Sequence, residues 1–306
     1  MVEGSQSCPH AVYRGRFAPS PTGDLHFGSL VAAVASYVDA KAHGGKWILR
    51  IEDLDIQREV PGAADGLMRT LEGFGFAWDG QVVRQSLRTE AYAEAVKELK
   101  QLGLVYPCAC SRREIAEIAR SGTEGPIYPG TCRAGLPAGR RTGSLRIRVE
   151  GSVFSLNDRI QGWLEQDIGR EIGDFVIRRA DGIHAYQLAV VIDDAWQEIT
   201  HIVRGADLAQ STPRQIFLQH CLALPTPSYA HIPLAVDRNG NKLSKSIGSI
   251  PVDPSDPIPS LLLAWQFLDQ AALSDRPASL DDFWGEALYR WETSAIQPVS
   301  AKAVQT

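Results

Sequence analysis

The first hundred residues alternate between short apolar runs and longer stretches of helical periodicity, and the alternation resumes after residue 186. Apolar runs of four to eight residues predict buried strands, whereas apolar positions spaced three and four apart predict amphipathic helices. The predicted strands are 13–17, 46–51, 187–192, 199–203 and 233–236. The predicted helices are about 25–43, 61–75, 89–102, 212–224, 257–270 and 280–296. Strands that alternate with helices are typical of an α/β fold with parallel strands.

The alternation breaks between about residues 106 and 185, where Gly and Arg are frequent and strand candidates are short. We interpret this stretch as an insertion into the α/β unit. The expected divisions are 12–105 for the first half of a nucleotide-binding domain, 106–185 for the insertion, 186–250 for the second half, and 251–306 for a helical C-terminal segment with a fading tail.

Composition narrows the class of protein. The chain has 306 residues, a formal net charge of −5 and a pI near 5.8, which argues against a broad basic surface for nucleic acid but permits a local basic groove. No apolar run approaches a membrane span, and the first ten residues lack the pattern of a secretory signal. We therefore expect a cytoplasmic protein without a membrane partner. No long apolar stripe is left over once the fold is assigned, so a monomer is expected.

A first candidate motif, RFAPSPTGDLHFGS, covers residues 16–29 between a predicted strand and a predicted helix. The start of a helix offers free backbone N–H groups and a partial positive charge, which together bind phosphate. Gly23 and Gly28 would allow a nucleotide close to the backbone, and His26 could donate to a phosphate oxygen. Taken alone, the same residues are explained equally well by a proline-rich turn with a surface histidine.

A second candidate motif, KLSKS, covers residues 242–246 and follows a short predicted strand. Lys242 and Lys245, three residues apart in a Ser-rich loop, would neutralise the charge that develops as pyrophosphate leaves a triphosphate. Alone, such a short match is also explained by an ordinary solvated loop.

Three of the five cysteines, Cys108, Cys110 and Cys132, lie within twenty-five residues. In a cytosolic chain this clustering favours a metal over disulfides, and zinc prefers four ligands. No histidine lies between positions 43 and 184, so Tyr128 is the remaining nearby candidate, with Glu124 or water as alternatives. Three buried thiols without metal would also explain the cluster.

Together, the two motifs resemble the HIGH and KMSKS motifs of class I aminoacyl-tRNA synthetases, the first in its glutamyl form. One departure is Ser29, which stands where the second histidine of HIGH is expected. The resemblance implies a Rossmann-like catalytic domain that uses ATP with Mg²⁺. It assigns catalysis to His26, Lys242 and Lys245, and ATP binding to His26, Gly28, Ser29 and Lys245.

The same resemblance implies a glutamate pocket. Its residues are Arg16, Phe17, Ala18, Pro19, Ser20, Glu52, Tyr186 and Arg204. The chemistry fits, because two arginines can each hold a carboxylate in a fork and a glutamate can pair with the ammonium. Which arginine holds which carboxylate stays open. The order Cys-x-Cys and Tyr-x₃-Cys further resembles a structural zinc site of some glutamyl synthetases, with Cys108, Cys110, Tyr128 and Cys132 as ligands.

About sixty residues follow the KLSKS motif, too few for the helical anticodon-binding domain of a full glutamyl-tRNA synthetase. The chain thus resembles the short paralogues, which transfer activated L-glutamate to the queuosine base in the anticodon of tRNA(Asp). Seven arginines of the insertion would supply charge for RNA. Three alternatives stay open: a compact synthetase that charges the 3′ end of tRNA(Glu), a non-catalytic RNA-binding relic, and an enzyme that glutamylates another small acceptor.

Overall fold

The structure is a computed structural model. It describes residues 12–123, 125–141, 143–149, 151, 153–238, 240, 252–274 and 276–304.

The N-terminal part is a parallel α/β unit. Its elements are β1 (Arg14–Phe17), α1 (Phe27–Ala42), β2 (Lys46–Ile51), α2 (Ala63–Gly73), β3 (Val83–Arg84), a 3₁₀ turn (Gln85–Arg88) and α3 (Thr89–Gln101). The strands pair in the order β1-β2-β3, all parallel. Helix α1 crosses from β1 to β2 and is buried along most of its length, because residues 30–40 are almost all apolar. The five elements predicted between residues 13 and 102 are confirmed to within two residues at each end.

Residues 105–178 differ from the rest because their strands are antiparallel. The elements are β4 (Val105–Cys108), α4 (Arg112–Ile118), β5 (Ser121–Gly122), β6 (Gly125–Pro126), β7 (Ser144–Ile147), β8 (Val153–Asp158), β9 (Gly162–Asp167), α5 (Ile168–Glu171) and β10 (Phe175–Arg178). A three-stranded sheet has the order β10-β7-β4, and β8 and β9 form a separate hairpin. The parallel α/β alternation of the N-terminal unit is interrupted over these residues.

The parallel pattern returns in the second half. Its elements are α6 (Tyr186–Trp196), β11 (His201–Gly205), a 3₁₀ turn (Ala206–Ser211), α7 (Thr212–Cys221), β12 (Ser228–Ile232) and β13 (Leu234–Val236). Strands β11 and β12 are parallel. The Thr200 N–H donates to the Arg14 carbonyl at 2.9 Å, which places the start of β11 beside β1.

The prediction of a strand at 187–192 is wrong, since these residues lie inside helix α6. A short apolar run cannot distinguish a buried strand from a buried helix by periodicity. Here the helix packs against both α3 and α7, so most of its sides are apolar. The strand predicted at 199–203 also begins two residues later than expected.

The C-terminal segment consists of α8 (Pro257–Phe267), α9 (Leu280–Arg290), a 3₁₀ turn (Thr293–Ala295) and β14 (Ala301–Ala303). The two predicted helices are present, although both end earlier than expected. The expectation of a fading tail needs correction, because β14 pairs in parallel with β13, with Leu234 opposite Ala301. Aromatic contacts join this segment to the N-terminal unit, among them Phe267 against Phe27 at a ring distance of 6.2 Å.

Two large hydrophobic clusters hold the described chain together. One surrounds α1, β1 and β2 and includes α8 and α9. The other joins α3, α6 and α7 to strands β7 and β10 of the antiparallel sheet. The antiparallel region therefore packs directly on the helices that carry part of the candidate site.

Candidate active site

The carboxyl ends of β1, β2 and β11 open into one cavity of about 400 Å³. Parallel strands bring their carboxyl ends to the same edge, where α/β proteins bind ligands. Every sequence-predicted glutamate and ATP residue that the structure describes lines this cavity. These residues are Arg16, Phe17, Ala18, Pro19, Ser20, His26, Gly28, Ser29, Glu52, Tyr186 and Arg204.

The loop between β1 and α1 forms one wall. Gly23 has φ +124°, a conformation that other residues rarely adopt, which explains the glycine at this turn. His26 caps α1, and its ring nitrogens lie 3.3 Å from the Ser29 N–H and 3.0 Å from the Ser29 hydroxyl. Ser29 therefore contacts the histidine of the motif. The sequence alone did not indicate what this serine does in the place of the second HIGH histidine.

A network of buried ion pairs lies beside the cavity, and we call it the floor of the cavity. Asp194, on α6, receives the Arg16 Nε at 3.2 Å and an Arg50 Nη at 2.8 Å. The other Arg50 Nη lies 3.3 Å from a Glu52 carboxylate oxygen. All four side chains are at most 9% exposed. Two carboxylates and two guanidinium groups thus compensate each other beside the cavity.

Burial and charge act differently on the two carboxylates. Burial raises the pKa of Glu52, and the Arg50 and Arg16 charges only partly oppose it. The same burial acts on Asp194, but Arg16 and Arg50 outweigh it and lower the pKa of that carboxyl. Asp194 is therefore firmly ionised, whereas Glu52 is the carboxylate of the floor that titrates more easily.

Arg204, on β11, has a different environment. Its guanidinium donates to His231 Nε2 at 3.1 Å, and to Thr212 Oγ1 and Gln215 Oε1 at 2.8 Å each. All these partners are uncharged, and no carboxylate within the described residues forms a salt bridge with Arg204. One Nη is buried without a hydrogen-bond partner. The cavity thus contains a positive charge that has no described counter-ion.

Sequence reasoning missed four residues that build this site: Arg50, Asp158, Asp194 and His231. The sequence contained signals for three of them, since Arg50 lies two residues before Glu52, and Asp194 and His231 interrupt apolar runs. Polar residues inside an apolar run are informative because burial requires partners. Asp158 carried no comparable signal.

Lys242 and Lys245 lie outside the described residues, as does the rest of the KLSKS motif. Their predicted contact with a triphosphate stays a prediction.

The predicted metal ligands also meet. The sulfur atoms of Cys108, Cys110 and Cys132 lie within 4.8 Å of one another, and those of Cys110 and Cys132 are 3.6 Å apart. Thiolates bound to one tetrahedral zinc at about 2.3 Å are separated by about 3.8 Å. The Tyr128 hydroxyl lies 3.3 Å from the Cys108 sulfur and 3.6 Å from the Cys110 sulfur. The four donors fit a small tetrahedral ion. Glu124, the alternative ligand, lies outside the described residues.

The cluster also favours a thiolate. Burial alone would raise the pKa of Cys108, but the Tyr128 hydroxyl, a backbone N–H and Arg146 lower it to about 7. The Arg146 Nε donates to the Cys108 sulfur at 3.4 Å, while its guanidinium stacks 3.9 Å above the Tyr128 ring. Metal binding requires deprotonated thiols, and this environment provides one near neutral pH.

The parallel α/β architecture with a cavity at the strand ends is that of a ligand-binding α/β domain, and the family match shows that it is a class I synthetase catalytic domain. Residues 13–256 match the family described as tRNA synthetases class I (E and Q), catalytic domain. Among solved structures, the chain is similar to the glutamate-tRNA synthetase of Elizabethkingia anophelis, with a TM-score of 0.78 and 26% identity. That similarity covers 95% of this chain and 68% of the solved one.

Relatives of similar length narrow the class. The chain is 54% identical over 289 residues to the glutamyl-Q tRNA(Asp) synthetase of Dechloromonas aromatica, covering 93% of this chain and 95% of the relative. It is 50% identical over 287 residues to the protein of that name from Chromobacterium violaceum, covering 94% and 96%. The chain therefore belongs to the glutamyl-Q tRNA(Asp) synthetase family of class I synthetases.

In the described part of the chain, no helix combines the length and the apolar character that a membrane span requires.

Proposed function

We propose that this protein activates L-glutamate with ATP and transfers the glutamyl group to the queuosine base in the anticodon of tRNA(Asp). The observation that carries the proposal is the convergence of all described motif residues on one cavity that contains an uncompensated arginine. The names of the relatives supply the identity of the acceptor.

Glutamate recognition follows from the charges of the cavity. Free glutamate has two carboxylates and one ammonium, so its net charge is negative. Arg204 is the receptor for one carboxylate, because it contacts only uncharged groups. Arg16, on the neighbouring strand β1, donates its Nε to Asp194, and it is the receptor for the second carboxylate. Glu52 pairs with the ammonium, and Tyr186, at the start of α6, shapes the pocket.

Activation is an in-line displacement on phosphorus. A carboxylate oxygen of glutamate attacks the α-phosphorus of ATP, forming glutamyl-adenylate, and the bond to the bridging oxygen breaks so that pyrophosphate leaves with the electron pair. The N-terminus of α1, with His26, Gly28 and Ser29, binds the nucleotide phosphates. Lys242 and Lys245 neutralise the leaving pyrophosphate, and Mg²⁺ supplies further charge at the phosphates when bound.

Transfer completes the reaction. A hydroxyl of the queuosine ring attacks the acyl carbon, AMP leaves, and the hydroxyl proton passes to solvent. Exposed arginines of residues 106–185, among them Arg112 and Arg141 but not the buried Arg146, contact the RNA backbone, and a single-stranded anticodon loop presents an accessible base. The protein acts as a monomer.

The cysteine cluster holds structural zinc in this proposal. Cys108, Cys110, Cys132 and Tyr128 would be the ligands, and the ion would fix the loops that surround β4. Metal analysis of the purified native protein tests this point, with close to one zinc per chain expected. Fewer than about 0.2 equivalents would refute it.

The main test is transfer of labelled glutamate, with ATP and Mg²⁺, to purified tRNA(Asp) with and without queuosine and to tRNA(Glu). We expect label only on queuosine-containing tRNA(Asp). Label on tRNA(Glu) would identify a compact tRNA-charging synthetase instead. Absence of label on every RNA, with no glutamate-dependent exchange of pyrophosphate into ATP, would identify a non-catalytic protein. Exchange without label on any RNA would point to another acceptor.

A further inference from the structure

The uncompensated arginine of the cavity is held by a chain of two further residues. Asp158, at the end of β8, lies 2.6 Å from His231 Nδ1, and His231 Nε2 lies 3.1 Å from the Arg204 Nε. All three side chains are at most 4% exposed. Arg204 lines the cavity, whereas the other two side chains do not.

The partners of His231 determine which ring nitrogen carries the proton. An ionised carboxylate can only accept hydrogen bonds, so Nδ1 must donate to Asp158. The Arg204 Nε–H can only donate, so His231 Nε2 must accept and cannot carry a proton. Burial lowers the pKa of His231, and the Arg204 charge adds to this effect against the opposing influence of Asp158, which favours the neutral ring.

Asp158 is itself fixed by the turn that follows it. Its Oδ1 accepts backbone N–H groups from Ile160 at 3.0 Å, Gln161 at 2.9 Å and His231 at 3.1 Å. Its other oxygen has His231 Nδ1 as partner. The carboxylate is thus held by backbone groups and presents one oxygen to the ring.

We propose that Asp158 and His231 are positioning residues that fix the tautomer at His231 and thereby aim the Arg204 guanidinium at a carboxylate of glutamate. This inference rests on the proposed function, because it assigns the ligand of Arg204. It also means that the β8–β9 hairpin contributes to the amino-acid site without touching the substrate.

Side-chain amides test the proposal atom by atom. In His231→Gln the amide oxygen can take the place of Nε2 and accept from Arg204. In His231→Asn the amide nitrogen can take the place of Nδ1 and donate to Asp158, but nothing accepts from Arg204. Asp158→Asn keeps the carbonyl oxygen for the turn, yet its NH₂ group forces Nδ1 to accept, so Nε2 carries the proton and opposes the Arg204 Nε–H.

Glutamate-dependent exchange of pyrophosphate into ATP is the readout, with KM measured separately for glutamate and ATP. We expect His231→Asn and Asp158→Asn to raise the KM for glutamate on the order of 10- to 100-fold, with the KM for ATP within about threefold of the wild-type value. His231→Gln should recover most of the loss. In the His231→Gln background, Asp158→Asn should have little further effect, since glutamine has no tautomer to invert.

Direct glutamate binding by calorimetry and thermal unfolding accompany the kinetics. A His231→Asn variant as active as wild type, or equal losses in His231→Gln and His231→Asn, would overturn the positioning role. If either His231 variant fails to fold, Asp158→Asn must still raise the KM for glutamate while it leaves the KM for ATP within about threefold of the wild-type value. A wild-type chain that neither exchanges pyrophosphate nor binds glutamate would overturn the proposed function itself.

Discussion

Two buried charge clusters of this protein use similar residues in opposite ways. We call Asp39, Tyr13, Arg159, Trp291 and Thr293 the Asp39 cluster. Its carboxylate accepts Arg159 at 2.6 and 2.9 Å, Trp291 and Thr293 at 2.9 Å each, and the Tyr13 hydroxyl. None of its atoms is among the described buried atoms without a partner.

The cavity cluster, Arg16, Arg50, Glu52, Asp194 and Arg204, is incomplete. Arg50 Nε and one Nη of Arg204 are buried without partners, and Arg204 has no described counter-ion. An unsatisfied buried donor costs about 1–3 kcal/mol, and more when it is charged. A cluster in which every buried polar group has a partner therefore stabilises the fold, whereas a cluster with unpaired donors can still bind a ligand.

The largest effect should follow from removing the uncompensated charge. Arg204→Met is expected to lower kcat/KM for glutamate in pyrophosphate exchange by about 10³-fold, equivalent to about 4 kcal/mol, because one substrate carboxylate loses its partner. Stability should change little. Arg84→Met is the control, since Arg84 pairs with Asp65 near the surface. A loss below tenfold for Arg204→Met would remove the distinction between the two clusters.

Asp39→Asn should destabilise the fold by about 3 kcal/mol, because it leaves Arg159 beside a neutral group in a buried site. Chemical denaturation measures the change. Asp65→Asn, which breaks an ion pair with 35% and 60% exposed side chains, should cost less than about 1 kcal/mol. The folded Asp39→Asn protein should keep its glutamate KM. A large change in that KM would contradict the assignment of the Asp39 cluster to stability alone.

The cysteine cluster differs from both charge clusters, because its donor atoms are arranged so that they can bind a metal ion. Cys132→Ser should abolish zinc retention. It should also lower the free energy of unfolding by about 2–3 kcal/mol, because the bound ion closes a loop of the chain as a disulfide would. Metal analysis and thermal unfolding, with and without a chelator, measure both. Cys221→Ser is the matched control, because burial raises the pKa of Cys221 to about 11 and no other thiol joins it among the described residues. Chelator sensitivity that persists unchanged in Cys132→Ser would contradict the assignment.

Lowering the pH should weaken glutamate binding at the cavity cluster before it lowers the stability that the Asp39 cluster contributes. This effect should be smaller than those of the substitutions above. The pKa of Glu52 is raised above its ordinary 4.5, so its charge is lost on acidification before that of an ordinary glutamate. The Asp39 carboxyl, despite burial, has its pKa held at about 2 by Arg159, Tyr13 and Trp291, so its contribution is present above the unfolded value of 3.8 and is lost between there and about 2. Glutamate affinity should therefore weaken, by up to roughly tenfold per pH unit, while the Asp39 cluster is intact.

Glu52→Gln should have weak affinity that no longer depends on this titration. Glutamate binding followed by calorimetry, with denaturation curves at each pH, measures both properties. Parallel loss of binding and stability in the wild-type protein would show that Glu52 does not titrate before Asp39.

Most of the fold was predictable from periodicity. The first helix and its flanking strands were placed to within two residues because their apolar patterns have unambiguous lengths. Helix α6 was not, since its run from Leu188 to Ile192 is apolar on most sides and carries no helical period. Strand β14 was missed because three residues with little apolar character become a strand only when β13 provides a partner.

The candidate site divides in the same manner. The first motif contains His26, and the family resemblance that the motifs carry implied Glu52 and Arg204; these three residues do line one cavity. The Arg50–Asp194 pair joins residues 144 positions apart, so no local pattern contains it. The same holds for Asp158 and His231, whose contact requires the β8–β9 hairpin to pack against β12.

The class of fold, the residue types of the site and the thiol cluster could all be predicted from the order of residues, because they depend on composition within short windows. Which charges are compensated became visible only in the folded chain. Nothing in the sequence distinguishes the surroundings of Arg16, Arg50 and Arg204. In the folded chain, Arg16 and Arg50 pair with a carboxylate, whereas Arg204 contacts uncharged groups. The electrostatic state of a buried group is set by neighbours a few ångströms away, and the chain supplies these neighbours from distant positions only after it folds.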